Sequence, residues 1–196
     1  MPKTDSGLSS PVLLLAMPQV LDPFFHRTVV LLMRHEEEGS FGFIVNRPTG
    51  IRVSEILQGM EVSWQGRDDA VAYFGGPVQP NLGTVLFAAP EGAPELASGA
   101  ASQVLAGISL TQHIGDLAEL AADPPEQFRL FLGYAGWGAG QLVAEILRND
   151  WLTAPVTSEL VFSLDPEGVW AKALESVGVD PAALPSWSSG GEETTN

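Results

Sequence analysis

Cysteine is absent from the 196 residues. That excludes disulfides, a thiolate nucleophile and any thiolate metal site. Lysine is nearly absent, with Lys3 and Lys172 the only two. Basic residues together number nine against 24 acidic ones, giving a formal net charge of −15 and a pI near 4.3. Proteins held to nucleic acid by phosphate contacts need clustered Lys and Arg, so no direct nucleic-acid binding is expected. Long apolar runs are missing too. The best leader candidate, Val12 to Met17, is six residues long, is cut by Pro18 and follows a single Lys3. It is too short and too weakly basic for secretion, and nothing else approaches a membrane span. The expectation is a soluble cytoplasmic protein with no membrane partner.

What is present supports a core. The length suits one domain at roughly 150 residues per domain. A hydrophobic share of 45% with 17% charged residues argues against disorder over the body of the chain. The charge is uneven: residues 1–90 carry six bases and nine acids, residues 91–196 three bases and 15 acids. An anion site is therefore expected in the N-terminal half. Residues 1–10 and 185–196 are small, polar and turn-rich and read as flexible tails around a single domain at 11–184. No repeat or linker divides it, and Pro90 to Gly107 reads as a surface loop.

The local patterns predict an α+β fold. Thr28 to Met33 is a β-branched apolar run suited to a strand buried on both faces. With His35 to Ser40 as a polar connection, Phe41 to Val45 completes a hairpin. Val53 to Gln58 reads as a short helix stopped by Gly59, and Val71 to Phe74 and Thr84 to Ala88 as strands. His113 to Ala122 reads as a helix with Ile114, Leu117, Ala118 and Ala121 inward, ended by Asp123-Pro124-Pro125 because a residue before proline avoids helical angles. Phe128 to Leu132 reads as a strand. Gln141 to Asn149 reads as a helix with Leu142, Val143, Ile146 and Leu147 inward and Glu145 and Arg148 outward. Glu159 to Leu164 reads as a strand, and Asp165-Pro166 opens a last helix closed by Gly178.

The stretch Leu132 to Ile146, LGYAGWGAGQLVAEI, raises the question of phosphate binding. A P-loop needs Lys and Ser or Thr after its last glycine; Ala139 and Gly140 stand there instead. The dinucleotide fingerprint has Gly138 and Gly140, with Glu159 available as the acidic partner about 20 residues later, but Val143 occupies the position where close packing wants a third glycine. The favoured reading is a sharp strand-to-helix corner in which glycine supplies positive φ or close backbone approach and Trp137 packs above. A small anion on the N–H groups that open the helix is the alternative.

Other chemistry is sparse. His35-Glu36-Glu37-Glu38-Gly39 lacks the second histidine of a zincin and sits in a turn, so no metal site is assigned. No G-x-S-x-G nucleophile elbow exists. His26, beside Arg27 and four residues after Asp22, and His113, near Asp116, are candidate general bases or locally satisfied rings. Asn46-Arg47-Pro48 and Phe74-Gly75-Gly76-Pro77 end strands at turns, and Arg47 adds an anion-binding fork.

Taken together, Ala16-Met17-Pro18 with Asp22-Pro23-x-Phe25, Gly42-x-x-x-Asn46-Arg47-Pro48, Gly75-Gly76-Pro77-Val78 and Gly133-Tyr134-Ala135-Gly136-Trp137-x-x-Gly140-Gln141-Leu142 resemble the AlgH/YqgE family of bacterial proteins over residues 8–180. The resemblance implies a compact α+β domain with a bifurcated mixed β-sheet that forms a pseudo-barrel, helices packed around it, and no established enzyme activity. The family's name comes from a proposed regulatory role in alginate production, often described as transcriptional, which this acidic composition does not favour as direct DNA binding. The candidate ligand or functional surface is His26, Arg27, Asn46, Arg47, Gly75, Gly76, Trp137, Gly138 and Gln141, with no cofactor and no metal. Two readings follow. One is a non-enzymatic regulatory or binding protein acting through a protein partner or small ligand. The other is an enzyme or former enzyme that takes a small anionic substrate near Arg47, His26 and the Gly136–Gly140 turn.

Overall fold

The computed structural model describes residues 8–93 and 95–185; most of both expected tails, 1–7 and 186–196, lies outside the described residues. The strands are β1 (Val12–Ala16), β2 (Val29–Glu36), β3 (Gly39–Ile44), β4 (Pro48–Arg52), β5 (Val71–Phe74), β6 (Val78–Ala89), β7 (Ser102–Leu105), β8 (Gly107–Thr111), β9 (Phe128–Gly138) and β10 (Trp151–Ala154). The helices are α1 (Val53–Gln58), α2 (Ile114–Ala122), α3 (Gln141–Leu147), α4 (Ser158–Val161) and α5 (Val169–Ser176).

One curled sheet joins ten strands, eight of them in the order β10-β1-β2-β3-β9-β6-β8-β7 and β4 and β5 off that path. It forks at β9. One edge of β9 carries β6; the other carries β3 antiparallel at Ala135 to Gly138 and β5 parallel at Phe131 and Leu132. The β4–β5 pair therefore branches off the main path. The chain is an α+β domain with a forked, half-barrel sheet.

The fork explains why the apolar runs do not alternate. Side chains on a strand point to opposite faces in turn, and here both faces are covered. Leu13, Leu15, Val29, Leu31, Phe43 and Phe131 meet α4 and α5 through Leu160, Val161, Trp170 and Leu174 on one face. Leu14, Ala16, Val30, Leu32 and Ile44 meet Trp137, Leu142 and Trp151 on the other. A third cluster packs Val53 and Leu57 of α1 and Leu117, Leu120 and Ala121 of α2 on Val85, Phe87 and Leu130.

The structure corrects several expectations. Glu159 to Leu164 is not a strand. Thr157 accepts a hydrogen bond from Leu160 N at 3.3 Å and caps the short α4. The proposed corner is also mostly strand, because β9 runs unbroken through Gly133-Tyr134-Ala135-Gly136-Trp137 to Gly138. Two of its glycines do take up positive φ as expected, Gly133 at 69° within the strand and Gly140 at 72° where the helix opens. On α2, Ile114 is 51% exposed and Ala118 is exposed, while Asp116 and Leu120 turn inward. Helix α3 ends at Leu147, which is 77% exposed, and Glu145 faces in rather than out. The loop assigned to Pro90–Gly107 contains β7, and β1, β4, β8 and β10 are further strands. Asp165 accepts from Gly168 N at 3.1 Å, but α5 itself begins at Val169. Among the described residues no helix is long and apolar enough to cross a membrane.

Asp116 is fully buried and fastens α2 to its surroundings. Its carboxylate accepts from the Thr111 hydroxyl at 2.7 Å and from Ser98 N at 3.3 Å. Burial alone pushes its pKa up, but the hydrogen bonds from Ser98 and Thr111 outweigh that and the net shift is downward. A depressed folded-state pKa stabilises the fold above the unfolded value of about 3.9, and that contribution is lost as pH falls through the folded value. Thr111→Val is therefore expected to cost about 1–3 kcal/mol at pH 7 by removing a buried partner. It should also move the onset of acid unfolding to higher pH, as followed by circular dichroism.

Candidate functional site

Most of the nominated residues assemble around one loop, Met17 to Arg27, between β1 and β2. Asp22-Pro23 starts a single turn in which Asp22 Oδ1 accepts from Phe24 N at 2.8 Å and Asp22 O accepts from His26 N at 2.8 Å. Asn46 is 5% exposed and clamps the end of the loop. Its Oδ1 accepts from Val29 N at 2.9 Å, and its Nδ2 donates to Arg27 O at 3.0 Å. Half-buried Arg47 donates from Nη2 to His26 O, and burial lowers its pKa below the ordinary guanidinium value. Arg27, at φ 51°, places its guanidinium 5.2 Å from the centre of the Trp170 ring. His26 Nδ1 lies 3.1 Å from Val20 O, a contact that makes Nδ1 the protonated nitrogen. His26, Arg27, Asn46 and Arg47 are thus neighbours, and the polar contacts they make hold the loop's own backbone.

Phe25 carries the loop to the second group. Its ring lies 6.2 Å from Trp137 and 5.9 Å from Trp151. Both indoles donate to the same oxygen, Glu145 Oε2, Trp137 at 2.9 Å and Trp151 at 2.8 Å. Gln141 donates to Glu145 Oε1 at 2.9 Å, and its own oxygen accepts from Gly138 N at 3.0 Å. Glu145 was legible in the sequence only as an outward residue; its role comes from Trp151, which the chain brings back on β10. Beneath the loop lies a cavity of about 290 Å³ whose charged lining is Asp22, Glu145, Asp150 and Arg148. Arg148 pairs with Asp150 at 2.7 Å, so an anion entering here meets carboxylates. Gly75 and Gly76 stand apart from that cavity as a strand junction. Gly75 donates to Leu132 O at 2.9 Å and accepts from Ile44 N at 2.8 Å, tying β3, β5 and β9 at the fork.

A larger cavity, about 790 Å³, opens at the other end of the curled sheet, and none of the nominated residues lines it. Its aromatic walls are Trp64, Tyr73, Phe128 and Phe162, and Arg129 lies in the wall. Trp64 and Phe128 pack at 5.0 Å between ring centres. Arg129 is 4% exposed. It donates to Val45 O at 2.7 Å and to Ser163 O at 2.8 Å, and its Cζ sits 3.8 Å from the centre of the Tyr73 ring. Its Nε is buried without an acceptor. Burial lowers its pKa below the ordinary guanidinium value, against a smaller opposing effect of Tyr73; a guanidinium nonetheless stays charged. The sequence did carry a signal for it, a lone charge inside Phe128-Arg129-Leu130-Phe131-Leu132, where neighbours two apart share a face with buried Phe131.

The histidines hold local structure. His35 Nδ1 lies 2.7 Å from Ser40 Oγ, and His113 Nδ1 accepts from Gly115 N at 3.1 Å to cap α2. Among the described residues no group of three or more His, Asp or Glu is placed to hold a metal ion.

The comparisons with known proteins agree with this architecture. A family model described as AlgH-like matches residues 13–182. A UPF0301 protein of Myxococcus xanthus is 39% identical over 176 residues, covering 89% of this chain and 94% of the relative. One of Ruegeria pomeroyi is 41% identical over 181 residues, covering 91% and 96%. The solution structure of the AlgH protein from Pseudomonas aeruginosa superposes with a TM-score of 0.71 at 34% identity, covering 94% of this chain and 99% of that one. A Corynebacterium diphtheriae protein shares the fold at a TM-score of 0.69 and 22% identity, covering 84% and 85%. The chain belongs to the AlgH-like family.

Proposed function

We propose that this AlgH-like protein is a non-enzymatic binding protein, acting in the cytoplasm through a small ligand rather than by catalysis. The observation that carries the reading is the cavity of about 790 Å³ walled by Trp64, Tyr73, Phe128 and Phe162. Its size and aromatic lining suit a small organic molecule, for which sites of roughly 300–1,000 Å³ are usual. The nominated polar side chains support the same reading from the other side. Asn46 and Arg47 hold the backbone of the Met17 to Arg27 loop, and Glu145 holds two indoles. None of these places a base next to a nucleophile, the geometry that covalent and acid–base catalysis need; His35 Nδ1 does lie 2.7 Å from Ser40 Oγ, but neither residue lines the aromatic cavity. A regulatory role then follows from ligand occupancy that a protein partner reads.

Native mass spectrometry of the protein isolated from its own cells tests this. A discrete bound mass that leaves on denaturation is expected; only the bare polypeptide, at full occupancy of the sample, contradicts it. The net charge of −15 also makes direct control of DNA an unsuitable mechanism, because affinity for a duplex rises with the number of phosphates neutralised. No sequence-dependent gel shift is expected at physiological ionic strength, and a salt-sensitive, sequence-specific shift by the purified protein would reverse this part of the reading.

A further inference from the structure

We infer that the ligand of the aromatic cavity is an organic anion with one oxyanion group, a carboxylate or its chemical equivalent, on a flat apolar body, with Arg129 supplying the countercharge. The inference rests on the ligand-binding reading above and adds the ligand's chemical class.

The argument starts from the cost of burying a cation. A charge taken out of water is retained only when partners compensate it. Arg129 has two backbone carbonyls and the face of Tyr73. Among the described residues no carboxylate lies within 4.0 Å of its guanidinium, and its Nε finds no acceptor. Bridging Val45 O to Ser163 O requires only N–H donors, which a neutral amide also has. Among the described residues the positive charge itself is therefore left without a carboxylate counterpart. The other charges on the cavity wall do not supply one. Arg67 and Asp69 pair with each other at 2.7 Å in an exposed position, and Glu126 is exposed.

The walls set the body of the ligand. Aromatic side chains on several elements converge there, β5 giving Tyr73, β9 giving Phe128 and the residue after α4 giving Phe162. Flat rings stack against such faces. The charge of the whole chain sets the number of anionic groups. At −15 the protein repels polyanions at long range, whereas a single oxyanion meets little repulsion and gains the buried guanidinium in a low-dielectric setting. A nucleoside polyphosphate does not fit this description; a monocarboxylate on an aromatic or similarly flat body does.

Two dyes with the same ring body separate charge from shape: 8-anilinonaphthalene-1-sulfonate, an anion, and N-phenyl-1-naphthylamine, its uncharged counterpart. Fluorescence titration of the full chain is expected to give about tenfold tighter binding of the anion, the change one well-placed charge contact produces. Arg129→Met should remove that preference while leaving the affinity for the neutral dye within about twofold, since such a factor is close to thermal energy. Because a buried arginine also contributes to folding, the unmodified protein supplies a second readout. In a spectrum of the arginine Nε–H groups, the Arg129 resonance should move on saturation with the anion and stay in place with the neutral dye. Equal affinity for the two dyes, a preference that survives Arg129→Met, or an Arg129 resonance that does not move at anion saturation overturns the inference while the ligand-binding reading stands. Binding of neither dye overturns both.

Discussion

Gly76→Ala is expected to yield protein that does not fold. Gly76 sits at φ 153°, and a Cβ there would lie closer than 3.0 Å to Tyr134 C and O and to Ala135 N, all backbone atoms of β9. Backbone cannot rotate away as a flexible side chain can, so either β9 or the β5–β6 junction must shift. The neighbouring Gly75 holds β3, β5 and β9 together at the fork, so a shift there propagates through the whole sheet. A loss on the order of 4 kcal/mol or more is expected, comparable with the total stability of many domains. Gly138→Ala is the control. Its Cβ would meet nothing nearer than Gln141 Oε1 at 3.9 Å, and its φ is not in the left-handed region, so it should change stability by less than about 1 kcal/mol. Soluble yield and urea unfolding measure both. A Gly76→Ala protein as stable as the unmodified one would mean that the fork is not packed as described.

Glu145→Ala carries the second-largest expected effect. It strands the indole N–H groups of Trp137 and Trp151, which are 6% and 5% exposed, and releases Gln141. A buried donor left without a partner costs roughly 1–3 kcal/mol. With two of them and half-buried surroundings that admit some water, a loss of about 3 kcal/mol is expected. Tryptophan emission should change with it, because two of the five tryptophans lose their carboxylate partner. A change below about 0.5 kcal/mol, the range of ordinary surface substitutions, would show that the carboxylate does not hold the two indoles in solution.

The sequence patterns were most informative where the local physics and the tertiary structure agree. Val53–Gln58 and Val71–Phe74 fall where the apolar spacing and Gly59 place them. The β-branched run at Thr28 to Met33 is a doubly buried strand, as such runs are when helices cover both faces. The patterns misled where an element's state is decided by distant partners. Leu160-Val161-Phe162 suits a strand by composition, but the Thr157 cap starts a short helix over Ser158–Val161 that packs on the face of Leu13, Leu15 and Leu31. The glycines of Gly133 to Gly138 look like a turn, but pairing with β3 and β6 keeps the run in strand β9, with Gly133 alone at positive φ. Of the candidate residues, His26, Arg27, Asn46 and Arg47 do meet, as do Trp137, Gly138 and Gln141. That both groups meet through Phe25 and Trp151 depends on folding, not spacing. The charge balance of each half of the chain carries no sign of Arg129, a single base inside an apolar strand. One arginine inside an apolar strand matters more than the net balance around it, since burial magnifies its field.

The central claim is that the aromatic cavity beside Arg129 is the working part of the protein. A crystal structure of the full chain with 8-anilinonaphthalene-1-sulfonate tests it most directly. The account predicts density for the dye between Trp64, Tyr73 and Phe162, with its sulfonate on the Arg129 side of the cavity. Dye seated in the smaller cavity beside Phe25 and Trp137, or only on the outer surface while the Arg129 cavity holds water alone, would contradict it.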